Sequence, residues 1–444
     1  MLDKELEILR DQINNLDDQM LRILDKRSNI VTKIGKLKDH SKGIIDENRE
    51  YNVLDRLIKL SKGKYPKDTI IRIWREIFES SSRLQINNPS YILTKRTIEK
   101  INIYKGGKAK INGMKNIIKL SSNENPLGPS ENISFKIAKN SINRYPEISG
   151  NSLRNKLSEI YKIEPDQIVL GCGSDETLLI SALSFCKPGD EIIHAEHGFE
   201  MYPIIAKIVG AVSKLAKEEN YKVSIKSICD QLSPATKLIF IANPNNPTGS
   251  YLTNSEIKEL MIKIPKNIIV VVDGAYSEYV EKDDYDCGFS LVNEFDNIIL
   301  TRTFSKAYGL AGIRLGWCYS SKNLSSILSR VKGPFNTTSL SQSIAIEALN
   351  DQNYIKHVVR QNKKNKEWFE VQLKNLNINV LPSFANFSFI ELNENLAINI
   401  TTELEKKGIL IRQLYSYGLP HCLRITIGTM GDMKKIIKII KDIH

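Results

Sequence analysis

The 444-residue chain has few cysteines, and none is placed to staple it or to hold a metal. The six, at 172, 186, 229, 287, 318 and 422, include no CxxC pair and no histidine at zinc spacing. A disulfide scaffold and a structural zinc site are both excluded on that ground. No apolar run approaches the roughly 20 residues that a membrane-spanning helix needs. The start, MLDKELEILR, carries acids where a secretory signal would place a basic segment. The expected compartment is therefore the cytoplasm. Aromatic residues are 7% of the chain and do not interleave with basic blocks. The net charge of +12, from 63 Lys and Arg against 51 Asp and Glu, is spread mainly as scattered lysine. That excludes a nucleic-acid or membrane-surface partner. What is present is an ordinary globular mix, 41% hydrophobic and 26% charged, in a chain with room for two or three domains of about 150 residues.

Leu2, Leu6, Leu9, Ile13, Leu16, Met20, Ile23, Ile30, Ile34 and Leu37 recur at steps of three and four, which predicts one long amphipathic helix of nearly forty residues. Gly43 ends the pattern. Asp46 can cap a second helix through Val53, Leu54, Leu57 and Ile58, and Pro66 and Asp68 open a third through Ile70, Ile73, Trp74 and Ile77. A helix this long cannot bury its whole stripe within one chain, so a dimer is expected. Arg10, Arg27, Lys38, Arg49 and Gln85 sit amid these apolar-periodic stretches. Singly each reads as surface charge; as a set of long donors they suit a dianionic ligand. Arg10 lies roughly 25 Å behind Arg27 along the helix, so it can share a small ligand only from an antiparallel partner helix.

Residues 5 to 85, through LRDQINNLDDQML, LDKR, GKLK, DENRE and ESSSRLQ, resemble the all-helical chorismate mutases. The resemblance implies that Arg10 of the other subunit, Arg27 and Arg49 hold two carboxylates. It further implies that Lys38 and Gln85 donate to the ether oxygen, that Glu50 binds the hydroxyl, and that Asp46 and Ser81 complete the pocket. Those residue types suit a unimolecular rearrangement, which needs a clamped conformer and donors where negative charge grows.

Residues 87–112 mix Asn, Pro and Gly with a short helical patch, the composition of a linker and arm. Beyond them, short apolar β-branched runs at 168–171, 191–195, 237–243, 267–276 and 297–306 alternate with helical patterns. This predicts a large α/β domain with a parallel-rich sheet over 113–330. A smaller α+β lobe follows over 331–444, with strands near 386–392 and 423–427. Four motifs carry chemistry. GCGSDETL (171–178) places glycines between a strand and a helix, an anion site. ANPNNPTG (242–249) puts Asn246 at a strand's end. VVDGAYSEY (271–279) ends a strand on Asp273 and Tyr276. TRTFSKAYGLAGIRLGW (301–317) supplies Lys306, with Ser305 before it and Arg314 eight residues on.

In this order and spacing the motifs resemble fold-type I pyridoxal-phosphate aminotransferases, most closely the histidinol-phosphate aminotransferase branch, over residues 91–444. The resemblance implies pyridoxal 5'-phosphate as cofactor, with Lys306 as its covalent anchor and proton shuttle. Asp273 would face the pyridinium nitrogen, Tyr276 and Asn246 the phenolate oxygen, and Phe199 the ring face. Ser174 and the neighbouring backbone of Asp175, with Thr303, Ser305, Arg314 and the neighbouring subunit's Tyr145, would hold the phosphate. Arg412 and Arg424 would take the substrate's anionic group, and the loop SSNENPLGP (121–129) would close over the site with Asn123 and Asn125. The YGLP element before Arg424 resembles versions that accept aromatic acids as well as histidinol phosphate. His194, His197 and His421 read as ordinary polar positions, and no metal is expected. The fusion predicts a bifunctional homodimer or larger assembly, acting on chorismate and on an aromatic or prephenate-type oxo acid or histidinol phosphate with a donor such as glutamate. The alternatives are a helical segment that only senses a ligand or dimerises, and a large domain that is a decarboxylase.

Overall fold

The computed structural model describes residues 2–38, 46–85, 96–104, 106–114, 116–133 and 143–443. They form two compact units, one of residues up to 100 with the turn 188–190, the other of the remaining residues from 101 on.

The first unit is helical. Helix α1 (Leu2–Leu37) is unbroken over 36 residues, as expected of a periodic stretch with no proline and no glycine before Gly35. Gly43, the expected stop, lies outside the described residues. Helix α2 (Glu47–Leu60) begins where the Asp46 carboxylate accepts the Arg49 N–H at 2.9 Å, which satisfies an otherwise orphaned donor. Helix α3 (Lys67–Gln85) follows Pro66 and packs on both. Val31, Leu54, Ile71 and Phe78 are buried there. Gly35 permits the close approach of α1 and α3: a Cβ at that position would sit 2.8 Å from Gln85 Cγ. Only the C-terminal part of α1 is covered in this way. Ile13, Leu16, Met20, Ile23 and Ile30 remain more than half exposed.

Much of the expected linker lies outside the described residues; Arg96–Glu99 forms one helical turn. The second unit is built on a seven-stranded sheet. Its strands are β1 (Ile168–Gly171), β2 (Glu191–Ala195), β3 (Val212–Ala216), β4 (Thr236–Ala242), β5 (Ile269–Asp273), β6 (Ile298–Thr303) and β7 (Gly316–Ser320), in the order β1-β7-β6-β5-β4-β2-β3. Strands β2 to β6 run parallel, while β7 is antiparallel to both neighbours. Neither β3 nor β7 was among the expected strands. The first is a partly exposed edge strand whose lysine breaks the apolar run, and the second merges with the tail of the Lys306 motif. Along β5, Val270 and Val272 join one core while Ile269 and Val271 join the other. A strand alternates its side chains, so a sheet covered on both faces reads as a continuous apolar run.

The smaller lobe pairs β8 (Asn379–Leu381), β9 (Phe387–Glu391), β10 (Arg412–Leu414) and β11 (Leu419–Thr426) in antiparallel order β8-β9-β11-β10. Helices Gln352–Asn375, Glu394–Lys406 and Met430–Ile443 accompany it. No described helix is long and apolar enough to cross a membrane.

Leu300 in the middle of β6 is fully buried. Leu300→Ala is expected to lower the unfolding free energy of the second unit by about 2–5 kcal/mol, read from a urea titration. A loss below about 1 kcal/mol would contradict the packing described.

Candidate active sites

In the helical unit, one chain brings three of the expected residues together. Arg27 reaches from α1 to α3, where its guanidinium donates to the Ser81 hydroxyl. That hydroxyl donates in turn to Ile77 O at 2.5 Å. One turn on, Gln85 Nε2 donates to Ser81 O at 3.1 Å, and Gln85 Oε1 is buried without a partner. Partial burial lowers the Arg27 guanidinium from its usual value, because charge is disfavoured away from water. Lys38 is half-buried at the end of α1, and Arg49 and Glu50 occupy the first turn of α2. Arg10 is exposed near the other end of α1, too far back to join them within one chain.

In the second unit, a cavity of about 370 Å³ opens where the strands end. Parallel strands deliver their last residues to one edge, which is why residues distant in sequence converge there. Asp273 is the last residue of β5 and stands in register with Ala242 of β4 and Thr301 of β6. Asn246 follows β4; Thr303, Ser305 and Lys306 close β6; Phe199 follows β2. After β1 comes helix α4 (Ser174–Phe185), whose N-cap Gly173 has φ 79° and offers no side-chain cap. A Cβ at Gly173 would lie 2.5 Å from the Arg314 guanidinium. The uncapped helix end therefore faces Arg314, which also bonds Asp175 Oδ2 at 3.0 Å and Ser305 Oγ at 3.5 Å. Backbone N–H groups, the helix dipole, hydroxyls and a guanidinium together make a site for a phosphate-like anion.

Arg424 of β11 is buried, donating to Asn246 Oδ1 and, at 2.8 Å, to Ser121 O. Arg412 of β10 donates to Glu200 Oε2 at 3.2 Å. Asn123, at φ 57°, donates its amide to the Tyr276 hydroxyl at 2.9 Å.

Two expected residues do not enter the cavity. Asn125 donates to Gly128 O and Ala307 O, each at 3.1 Å, and accepts from Leu127 N at 3.0 Å. Its side chain shapes the 121–129 loop. Tyr145 is 81% exposed and stacks on Phe335 at 4.4 Å between ring centroids. Other residues line the cavity although no motif announced them. Tyr104, Gly106 and Gly107 come from the stretch expected to be linker, Glu200 follows Phe199 and Tyr417 begins the YGLP element, neither with an assigned part. Beneath the cavity, Tyr202 supports Asp273; its spacing from Phe199, one helical turn, was the available signal.

Burial sets the charges. Asp273 accepts from the Tyr202 hydroxyl at 3.0 Å, Thr301 Oγ1 at 3.2 Å and Ala275 N at 3.2 Å. Desolvation nevertheless pushes its carboxyl up to about 6. The Lys306 amine donates to Ser122 O at 3.1 Å and is pushed down to about 8, first by burial and then by the charge of Arg424. His194 is also driven down by burial, to about 4, and among the described residues no acid, histidine and cysteine cluster could hold a metal. Lys306 therefore becomes neutral as pH rises through about 8, and only the neutral amine attacks a carbonyl. In apoprotein, the rate of Lys306 modification by pyridoxal is expected to rise with pH about a midpoint near 8, read by absorbance. A midpoint near 10 would show that the amine is not desolvated.

Residues 115–440 match the model of the aminotransferase class I and II family, and residues 9–86 match that of chorismate mutase type II. Histidinol-phosphate aminotransferases are similar over most of their length. That of Roseobacter denitrificans is 40% identical over 340 residues, 76% of this chain and 94% of the relative. That of Pelagibacter ubique is 40% identical over 354 residues, 78% and 97%. The solved histidinol-phosphate aminotransferase of Sinorhizobium meliloti, a complex with pyridoxal-5'-phosphate, shares the fold with a TM-score of 0.74 at 22% identity, over 80% of this chain and 100% of that one. The chain thus belongs to the class I and II aminotransferases and carries a type II chorismate mutase domain ahead of that fold, which makes it a bifunctional enzyme.

Proposed function

We propose that residues 1–86 convert chorismate to prephenate and that the aminotransferase, with a large domain over 113–330 and a small one over 331–444, transaminates an aromatic or prephenate-type oxo acid, histidinol phosphate being its rival substrate. The observation that carries this reading is Lys306, a desolvated amine in one cavity with Asp273 and the Arg412 and Arg424 guanidiniums. Glutamate is the expected donor and the cytoplasm the expected compartment.

The enzyme uses pyridoxal 5'-phosphate, and the cavity's donor set fits that group. The helix α4 terminus with Ser174, Asp175, Thr303, Ser305 and Arg314 suits its phosphate, the buried Asp273 carboxylate its ring nitrogen, and Tyr276 with Asn246 its phenolate oxygen. Phe199 would cover the ring face. When bound, the cofactor supplies an electron-poor ring that accepts the electron pair left as the substrate's α-proton departs. Lys306 takes and returns that proton, as its lowered basicity permits. Asp273, kept from water by the fold, holds a proton on the ring nitrogen. The charge of Arg424 helps to lower the Lys306 amine, and Arg412 and Arg424 orient the substrate's anionic group. Asn123 acts through its bond to Tyr276.

In the helical unit Arg27 and Arg49, with Arg10 of a second copy, would clamp the two carboxylates of chorismate, while Glu50, Asp46 and Ser81 fix the remaining contacts. Lys38 would donate to the ether oxygen as its bond to carbon breaks. Gln85 would use the second proton of Nε2, the first being engaged by Ser81 O. The exposed stripe of α1 supports a homodimer that completes this pocket, and the exposed Tyr145 suits a part in a neighbouring chain's phosphate site.

Lys38→Ala is expected to lower mutase turnover by about a hundredfold or more, the loss of an oxyanion donor being about 3–4 kcal/mol. A tenfold drop or less would remove Lys38 from the reaction. Lys306→Ala should abolish transamination and leave the mutase rate nearly intact, and loss of both in a folded protein would contradict separate sites. Arg10→Ala and Arg27→Ala, each inactive alone, should regain mutase activity when refolded together, through a hybrid pocket with both arginines. A fully active monomer in sedimentation would rule out the shared pocket.

A further inference from the structure

Glu200 has no part in the roles assigned above, yet it pairs with one of the cavity's two neighbouring arginines. Arg412 and Arg424 are directly opposite each other in the antiparallel pair of β10 and β11, so their side chains leave the sheet on one face. Cβ atoms so placed are about 5 Å apart, and like charges there repel. The two guanidiniums are relieved differently. Arg424 is held by neutral oxygens, Asn246 Oδ1 and Ser121 O. Arg412 is held by Ser416 Oγ at 3.3 Å and by a full charge, Glu200 Oε2 at 3.2 Å. Glu200 is the N-cap residue of the helix Met201–Val209, but its side chain makes no capping bond; the carboxylate turns to Arg412 instead. Both partners of that pair are only 16% exposed, so the bond is little screened by water.

The geometry points to Glu200 as a specificity-determining residue that tunes the cavity toward substrates with a monoanionic carboxylate and against phosphate monoesters. This deepens, and rests on, the aminotransferase reading above. A carboxylate needs one guanidinium fork, which Arg424 supplies while the Glu200–Arg412 pair stays closed. A phosphate dianion placed before this cross-strand pair draws on both arginines. It must then lie beside the Glu200 carboxylate or expel it from Arg412, leaving a charge unpaired in a largely buried place. Carboxylate substrates meet no such opposition. Aromatic oxo and amino acids belong to that class, and histidinol phosphate belongs to the other.

The test uses the holoenzyme, in which the helix α4 anion site is already filled by the cofactor, and compares calorimetric Kd values for inorganic phosphate and 3-phenylpropionate. Glu200→Gln is expected to shift the ratio toward phosphate by about tenfold or more, about 1.4 kcal/mol. Glu200→Asp, which keeps the charge on a shorter arm, should shift it less. In an Arg412→Met background the Glu200→Gln shift should vanish, since the effect passes through that pair. Retained cofactor absorbance and an unchanged melting temperature identify folded variants. The kcat/KM ratio for histidinol phosphate over phenylalanine should move in the same direction. Equal shifts for the two anions, or a shift that persists without Arg412, would overturn the inference. Absence of turnover with either substrate in the unmutated enzyme would instead overturn the functional reading, and the Kd comparison would still decide the part of Glu200.

Discussion

A carboxylate buried at the end of a central strand is the constraint around which the aminotransferase unit is organised. Asp273 is buried where it borders the cavity, and three hydrogen bonds do not fully offset the loss of water, so its carboxyl rises to about 6. An uncompensated charge in such a place calls for a cation. The strands on either side set its surroundings. Thr301, in register on β6, bonds the carboxylate, and β4 leads from its register partner Ala242 towards Asn246. Thr303, Ser305 and Lys306 follow at the end of β6. Tyr202 reaches the carboxylate from the helix after Phe199 and stacks on Phe240 at 4.7 Å, which fixes its hydroxyl. The positive charges of Lys306, Arg314 and Arg424 stand across the same cavity.

The two units meet opposite physical problems. The second gathers the lining of its cavity on the ends of a sheet buried on both faces. The first has a helix of 36 residues whose apolar stripe is covered only near its C-terminal end. An isolated amphipathic helix of that composition gains most of its stability from packing, and the exposed leucines and isoleucines of α1 are the support for the homodimer proposed above. Arg27, Ser81 and Gln85 meet where α1 and α3 pack, with Lys38 at the C-terminal end of α1, Arg49 and Glu50 at the start of α2, and Arg10 near the other end of α1.

Elements with strong periodicity were legible in the sequence. The three helices, the Asp46 cap, the strand ending on Asp273 and the strand leading to Lys306 follow from period and turn chemistry alone. What escaped was the part decided by tertiary contact. Strand β3 is an edge with mixed burial and β7 is fused to a functional loop, so neither has a clean local pattern. Asn125 looks like Asn123 in the sequence, but a turn of two residues directs its amide to the backbone of the loop. Tyr104, Glu200 and Tyr417 also line the cavity; the last two stand in or beside elements that the sequence singles out, but residue type alone gives them no part. The roles proposed for Arg10, Arg49 and Lys38 rest on resemblance and residue type.

The most direct test of the account is the protonation state of the cofactor's ring nitrogen, read by ¹⁵N magnetic resonance of labelled pyridoxal 5'-phosphate bound to the protein. If the buried Asp273 is the group that governs the site, the nitrogen is protonated in the unmutated enzyme at pH 8 and loses its proton in Asp273→Asn, with the cofactor still bound. A nitrogen unprotonated in the unmutated enzyme, or unaffected by the substitution, would contradict it.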